Sequence, residues 1–273
     1  MLKEKNFYKI SNDLVFKYVF SHQKILKEFI KELFKYIKYT KEVKEIIIEE
    51  QFLMMPEKIN KKIFYGDVKA ILNDDEIINI EIYNKFEEKE IKKSYAYGCR
   101  LYANQLKVKE NYENLKKVIS INLIKGKNIE KEIIKKYQMK NIENGMLLSN
   151  ELIDMIIIRF DIRKTNCYNE FERFHRMLAM LDAESIEELE NIAKGDEIMS
   201  EMAQYVKDFI EDEETNRMFD KERDIRLEER IKTKNDTIND IAIKLKKYNI
   251  SDEKISICTG LSIDDIKRLK SQL

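Results

Sequence analysis

Two acidic residues, Asp67 and Glu81, stand within otherwise apolar, β-branched segments of the chain. Residues 63–72 alternate and residues 77–82 run apolar as strands do, while residues 73–76, NDDE, supply turn chemistry between them. We therefore expect the two acids to meet across a β-hairpin. Paired carboxylates suit Mg²⁺, which accepts oxygen ligands together with water and substrate phosphate. Acids on neighbouring strands are also common as half-exposed side chains, so the pair alone does not identify a phosphodiesterase site.

The elements predicted around this hairpin describe an α/β arrangement. The chain opens with two helices, or with one helix broken near Ser21: residues 11–13 can start the first, and residues 25–34 are a second run at helical spacing. Three consecutive Ile favour a strand within residues 43–55. Residues 91–106 read as a helix with Tyr95, Cys99, Tyr102 and Leu106 on one face. Residues 117–124 and 152–160 are apolar runs of strand length. This order predicts an α/β sandwich built around a mixed sheet.

The second half of the sequence predicts helices only. Helical patterns cover residues 171–181, 185–193 and 197–209, and the charged run at 211–234 reads as an exposed connector helix with ion pairs. The last segment has a turn at 248–251, Gly260 as a helix stop and Ser262 as a helix cap, the size of a helix-turn-helix unit. We therefore predict three regions, 1–165, 166–235 and 236–273.

Composition excludes several classes of site. The 51 Lys and Arg residues balance the 51 Asp and Glu residues, so any nucleic-acid binding must rest on a local patch. The three cysteines and two histidines are scattered, which argues against a disulfide framework, a zinc site or histidine-based hydrolysis. Catalysis is therefore expected from carboxylates, Lys and a hard metal ion. The chain also has no apolar run of the roughly 20 residues that span a bilayer, which predicts a cytoplasmic protein without a membrane partner.

Four segments together resemble a known family. NDLVFKYVF, GDVKAILNDDEIINIEIY, KKSYAYGCRLYANQL and VISINLI follow one another as in the recombination-promoting nuclease and transposase-like family, a bacterial branch of the PD-(D/E)XK nuclease superfamily. The ending SDEKISICTGLSIDDIKRL resembles the C-terminal region of that family, so the resemblance covers nearly the whole chain. It implies a PD-(D/E)XK-like core over residues 1–165, with a central mixed sheet flanked by helices, followed by an all-helical C-terminal region.

The resemblance also implies roles for individual residues. Asp67 and Glu81 would bind Mg²⁺, with Mn²⁺ as an alternative, and the backbone carbonyl of Ile82 would be a further ligand. Asp13 falls where related nucleases often supply another acid, although its role as a helix cap is a sufficient explanation. The substrate implied is DNA, and the activity is endonucleolytic hydrolysis linked to recombination or mobile elements.

The chain departs from the family two residues after Glu81. The superfamily has Lys at that position and this branch usually Gln, whereas this sequence has Tyr83, which is neither a cation nor a ready base at neutral pH. Lys85 follows on the same strand face, about 6 to 7 Å further along, and Lys93 lies at the start of the next helix, where the family tends to have Arg. The predicted catalytic set is therefore Asp67, Glu81, Tyr83, Lys85 and Lys93, with the basic residue left open.

Two other functions stay open at this point. The chain can be a catalytically degenerate DNA-binding or regulatory protein that keeps the nuclease fold, or an interaction scaffold built on the helical C-terminal half. Tyr95, Tyr97 and Tyr102 suggest either a stacking platform for bases or, with the stronger argument, packing against the sheet. Gln105 is a polar residue that we expect near the site. Double-strand cleavage by one active site per chain would favour a homodimer.

Overall fold

The structure is a computed structural model of the 273-residue chain. It describes residues 7–49, 68–85, 87–106, 110–126, 133–149, 152–162, 171–212, 232 and 234–269. The chain divides into two compact units, Met1–Asp212 and Glu213–Leu273. The three regions predicted from the sequence, 1–165, 166–235 and 236–273, stay a prediction.

A mixed sheet forms the centre of the first unit. Its strands within the described residues are β1 Ile46–Ile48, β2 Val68–Leu72, β3 Glu76–Tyr83, β4 Lys117–Ile124, β5 Ile134–Tyr137 and β6 Ile153–Arg159. They lie in the order β1-β2-β3-β4-β6-β5. The pairs β3–β4 and β4–β6 are parallel, whereas β1–β2, β2–β3 and β5–β6 are antiparallel. Every residue of β3 and β4 is buried, as expected for central strands of a covered sheet.

The turn between β2 and β3 follows from its residue types. Asn73 and Asp74 adopt positive φ angles of 51° and 56°, which Asn and Asp tolerate better than other side chains that carry a Cβ. The Asn73 Oδ1 atom accepts hydrogen bonds from the backbone N–H groups of Lys44 and Glu45, and these contacts hold the approach to β1 against the hairpin. The predicted hairpin is confirmed from Val68 onwards, and its earlier part lies outside the described residues.

Helices surround the sheet. In the first unit they are α1 Asp13–Phe20, α2 Gln23–Tyr36, α3 Glu88–Ala103, α4 Glu172–Asp182, α5 Ile186–Ala193 and α6 Glu197–Glu211. The Asn12 side chain caps α1 by accepting a hydrogen bond from the Leu14 N–H, and the two-helix opening of the chain is confirmed. Helices α1, α2, α4, α5 and α6 pack against one another, and α2 also contacts β1, while α3 contacts β3, β4 and β6.

The buried face of α3 differs from the predicted one. Ser94, Tyr97 and Gly98 are buried on this helix, whereas Tyr95 is 49% exposed. Small residues allow the helix to approach the sheet closely: the Ser94 and Ser120 hydroxyls lie 3.0 Å apart. A Cβ atom at Gly98 would lie only 3.3 Å from Ile153 Cγ2. The prediction assumed that the large side chains face the sheet. It was wrong because α3 packs on the sheet through its narrow side, which is formed by the small residues Ser94 and Gly98.

The edge strand β5 was not predicted from the sequence. Its four residues include two lysines and are only partly buried or exposed, so no apolar run marks it. Lysines are typical of edge strands, where they discourage pairing with another chain. The other predicted strands are confirmed in place: β4 spans residues 117–124 and β6 lies within residues 152–160. The α/β class with a mixed sheet flanked by helices is therefore confirmed.

The second unit is helical in its described part. Residues 234–247 form α7, followed by α8 Asp252–Thr259 and α9 Ile263–Arg268. Ala242, Ile255 and Ile266 form its buried core. Gly260, with a φ of 74°, ends α8, and the Ser262 side chain caps α9 by accepting a hydrogen bond from the Asp265 N–H, as predicted. Most of the charged run at 211–234 lies outside the described residues.

Candidate active site around Glu81

A buried carboxylate is the centre of the site. Glu81 lies on β3, between β2 and β4, and is 1% exposed. Asn79 and Tyr83 share its face of the strand, because side chains of a strand alternate between faces. The Asn79 amide donates to Glu81 Oε1 over 3.4 Å, and the Tyr83 hydroxyl donates to Oε2, also over 3.4 Å. Both hydrogen bonds are long, so the carboxylate is only weakly held by neutral donors.

Burial dominates the electrostatics of this carboxylate. It raises the pKa of Glu81 to about 7, against the opposing effects of the Lys93 charge, the Asn79 hydrogen bond and the Lys17 charge. The negative charge of Asp13 raises the same pKa further. Asp13 and Lys17 form an ion pair of 3.3 Å on α1. Because both charges act on the pKa of Glu81, that helix lies near the site. Near neutral pH the Glu81 carboxylate is therefore ready to take up or release a proton.

Lys93 is the predicted basic residue that reaches Glu81. Its Nζ atom lies 3.7 Å from Glu81 Oε2, and its side chain is 41% exposed. The same Nζ atom lies 5.2 Å from the ring centroid of Tyr83 and 5.2 Å from that of Tyr97. The structure thus brings together Glu81, Tyr83 and Lys93 from the predicted catalytic set.

Lys85 does not join them. It follows the end of β3, its side chain is 83% exposed, and its Nζ atom pairs with Glu87 Oε1 at 2.8 Å. The expectation that Lys85 continues the strand face fails because β3 ends at Tyr83. Gln105 is also occupied elsewhere: its side-chain amide exchanges two hydrogen bonds with the backbone of Lys116, at 2.7 and 2.8 Å. It holds the end of α3 to the approach of β4.

The second predicted metal ligand, Asp67, lies outside the described residues. Val68, the residue after it, is paired with Ile80, the residue before Glu81. The Ile82 side chain alternates to the opposite face of β3, so only its backbone carbonyl is relevant to the predicted ligand set. The described residues contain no group of three or more His, Cys, Asp or Glu side chains arranged for a metal ion.

The surroundings of Glu81 nevertheless fit a divalent cation. Lys93 and Lys17 offset the effect of burial on the pKa of Glu81 only in part, and a bound divalent ion would supply further positive charge. Carboxylate oxygens are also the hard ligands that Mg²⁺ and Mn²⁺ prefer. The described residues therefore provide part of a suitable donor set.

Sequence reasoning missed other polar residues at the site. Asn122 on β4 is paired with Glu81 in the parallel register, is buried, and its Oδ1 atom accepts no hydrogen bond in the structure. It lines a small cavity together with Tyr83 and Ile91 of α3. The sequence does indicate these two positions, because Asn79 and Asn122 are polar residues within strongly apolar strands. Lys17 had no comparable signal, since its proximity to Glu81 depends on how α1 packs.

The fold and the buried acid indicate the class of protein, an α/β protein with the architecture of PD-(D/E)XK nucleases. A family model described as PD-(D/E)XK nuclease family transposase matches residues 10–251, and the chain belongs to this family. The match confirms the family indicated by the resemblance. No curated protein and no solved structure matches the chain. Within the described part of the chain, none of the helices has both the length and the apolar character to cross a bilayer.

Proposed function

We propose that this protein is a metal-dependent DNA endonuclease that hydrolyses phosphodiester bonds, linked by its family to recombination or mobile elements. The observation that carries the proposal is the buried Glu81 carboxylate with the Lys93 ammonium 3.7 Å away, in a chain of a nuclease family. Asp67 and Glu81 would hold Mg²⁺ or Mn²⁺, with the Ile82 carbonyl as a further ligand. When bound, such an ion lowers the pKa of a coordinated water and offsets charge on the phosphate.

The protein side chains have distinct tasks in this proposal. Glu81 would bind the ion in its ionised form, and because burial raises the pKa of the metal-free carboxyl to about 7, binding of the ion below neutral pH would release a proton. Lys93 approaches from α3 and stabilises the negative charge that develops on the phosphate oxygens. Tyr83 occupies the position of the usual basic residue and contacts both groups. The basic residue is thus supplied by the helix in place of the strand.

Nicking of supercoiled plasmid by the full chain tests the proposal. With Mg²⁺ or Mn²⁺ present, the wild type is expected to convert plasmid to the open-circular form, and Glu81→Gln and Asp67→Asn are expected to lose this activity. Glu88→Gln is the matched control, because Glu88 is an exposed acid on α3 that pairs with Lys92. Absence of nicking by the wild type, or nicking that persists in Glu81→Gln, would contradict the proposal.

The rival function is a degenerate member of the family that binds DNA without cutting it. The observation that favours it is Tyr83, because a tyrosine stands where family members have Gln or Lys. Under this rival, fluorescence anisotropy would show DNA binding by the wild type while no metal restores nicking. Linear product formed directly from supercoiled plasmid would instead indicate double-strand cleavage, the result that favours a homodimer when each chain has one active site.

A further inference from the structure

Tyr97 has no part in the function proposed above, yet its ring lies as close to the Lys93 ammonium as the ring of Tyr83 does, at 5.2 Å. We propose that the rings of Tyr83 and Tyr97 form an ammonium cradle for Lys93, and that Tyr97 is a positioning residue for the nuclease reaction. The term ammonium cradle denotes these two rings. The catalytic consequence rests on the proposed function, whereas the binding of an ammonium group by the rings does not.

The cradle is built by two different elements. Tyr83 ends β3, whereas Tyr97 follows Lys93 by one helical turn on α3, the spacing at which helical side chains are neighbours. Both rings are buried, while Lys93 is 41% exposed. The ammonium group therefore sits at the boundary between the protein interior and solvent, where an aromatic face attracts a cation more strongly than in bulk water.

Two rings and a carboxylate hold Lys93 for different reasons. A lysine side chain is flexible and loses considerable rotamer entropy when it is fixed. Attraction to Glu81 depends on the charge of that carboxylate, which a bound metal ion would offset. The electron-rich faces of Tyr83 and Tyr97 keep their attraction in either case. The cradle thus keeps the ammonium group near the site when the Glu81 carboxylate is engaged elsewhere.

This arrangement also explains the departure from the family at position 83. A tyrosine there supplies no charge, but its ring faces a lysine that arrives from the helix. If the rings only filled space in the core, their aromatic character would be irrelevant to Lys93. If they form a cradle, Tyr97→Phe keeps both aromatic rings around the ammonium group, whereas Tyr97→Leu removes one of the two.

Ligand binding to Lys93→Ala tests the cradle without relying on activity. Alanine keeps only the Cβ atom of lysine, so n-propylammonium replaces the missing atoms, and 1-propanol is a neutral control of similar size. Ligand-observed NMR on the full chain is expected to show saturable binding of propylammonium, at least about tenfold tighter than 1-propanol. Adding Tyr97→Phe should leave this affinity within about threefold, whereas adding Tyr97→Leu should weaken it by at least about fivefold.

Tyr95→Leu is the matched control, because Tyr95 lies on the same helix but is 49% exposed. It should leave propylammonium binding unchanged. Absence of saturable binding to Lys93→Ala, or equal affinity in the Tyr97→Phe and Tyr97→Leu backgrounds, would overturn the cradle. Each comparison is made in the same Lys93→Ala background, and circular dichroism shows separately whether a variant is folded. If Tyr97→Leu does not fold, the affinity of the Tyr97→Phe variant still tests the cradle.

Plasmid nicking separates this inference from the proposed function. Tyr97→Leu is expected to lower kcat by about tenfold with little change in KM for DNA, and Tyr97→Phe is expected to retain activity. Propylammonium should partly restore nicking by Lys93→Ala. Ring-dependent binding in a protein whose wild type does not nick DNA would support the cradle and refute the nuclease proposal. Nicking by the wild type without ring-dependent binding would support the nuclease proposal and refute the cradle.

Discussion

A carboxylate in the middle of a sheet is costly to ionise, and the residues around Glu81 offset part of that cost. Burial raises its pKa to about 7, while the charges of Lys93 and Lys17 and the long hydrogen bond from Asn79 oppose the effect only in part. Such perturbed groups concentrate at functional sites. At the scale of residues, the proposed activity therefore depends on the pair formed by Glu81 and Lys93.

Replacing Lys93 tests which lysine serves the site. Lys93→Met is expected to lower the rate of plasmid nicking by about 100-fold, because it removes the positive charge nearest to Glu81. Lys85→Met should stay within about twofold of the wild type, since Lys85 pairs with Glu87 away from the site. Lys92→Met is a matched control on α3, where Lys92 pairs with the exposed Glu88. A larger loss in Lys85→Met than in Lys93→Met would refute this assignment.

The pH dependence of stability follows from the raised pKa of Glu81. The folded protein keeps the Glu81 proton up to about pH 7, whereas the unfolded chain releases it near pH 4.5, the ordinary pKa of a Glu side chain. Folded protein therefore binds more protons in this window, and the contribution of Glu81 to stability falls as pH rises from about 4.5 to about 7. Relative to the wild type, metal-free Glu81→Gln should gain up to about 3 kcal/mol in unfolding free energy across this window.

Urea unfolding in the presence of a chelator, at about pH 4.5 and about pH 8, measures this difference. Addition of Mg²⁺ at the higher pH should then stabilise the wild type and not Glu81→Gln, since the Gln amide would not supply the charged oxygen ligand proposed for the ion. A difference between the two proteins that does not change with pH would contradict the raised pKa.

At the scale of elements, the site depends on how closely α3 lies on the sheet. Ser94 and Gly98 form the narrow side of this helix, and Lys93 and Tyr97 adjoin that side. The close approach of the helix therefore determines whether a side chain from α3 reaches the Glu81 carboxylate on β3. A wider separation would move the Lys93 ammonium away from the carboxylate and from the Tyr83 ring.

Gly98→Val tests this packing. A Cβ atom at this position already meets Ile153 Cγ2 at 3.3 Å, so the larger side chain should lower the unfolding free energy by about 1 to 3 kcal/mol. Nicking should also fall, because Lys93 is displaced. Ala96→Val on the exposed side of α3 is the control and should cost at most about 0.7 kcal/mol, the effect of helix propensity. Urea midpoints decide the outcome, and equal effects of the two variants would contradict the proposed close packing.

At the scale of the whole molecule, the residues of the site belong to one of two compact units. Glu81, Lys93 and the helices that pack around the sheet all lie within Met1–Asp212. The second unit has its own small apolar core around Ala242, Ile255 and Ile266. The chain has no net charge, so DNA binding is expected to depend on local groups and not on an overall field.

Ending the chain after residue 212 tests this division. The shortened protein is expected to fold cooperatively and to keep metal-dependent nicking within about tenfold of the full chain, because the unit carries its own core and site. Circular dichroism and the plasmid assay are the measurements, and Glu81→Gln in the shortened protein is the control. Aggregation of the shortened protein, or complete loss of nicking in a folded one, would show that residues 213–273 are required.

Much of the fold was predictable because buried helices and strands place apolar residues at regular spacing along the sequence. Strands β4 and β6 are isoleucine-rich, mainly apolar segments, and the ends of α8 and α9 carry cap residues. Strand β5 was not predictable, since an edge strand with two lysines has no such mark. The buried face of α3 was also missed, because close packing favours Ser94 and Gly98 over the larger tyrosines that dominate the pattern.

The sequence by itself determined the family and the α/β class, because these depend on residue types in a fixed order along the chain. The acids Asp67 and Glu81 are a prediction from the same order. Only the tertiary structure showed that Lys93, and not Lys85, lies beside Glu81, because that placement depends on where β3 ends and how α3 crosses the sheet. It also revealed the raised pKa of Glu81 and the two tyrosine rings around the Lys93 ammonium. Desolvation and distance are properties of packed side chains, and neither is encoded at a single position.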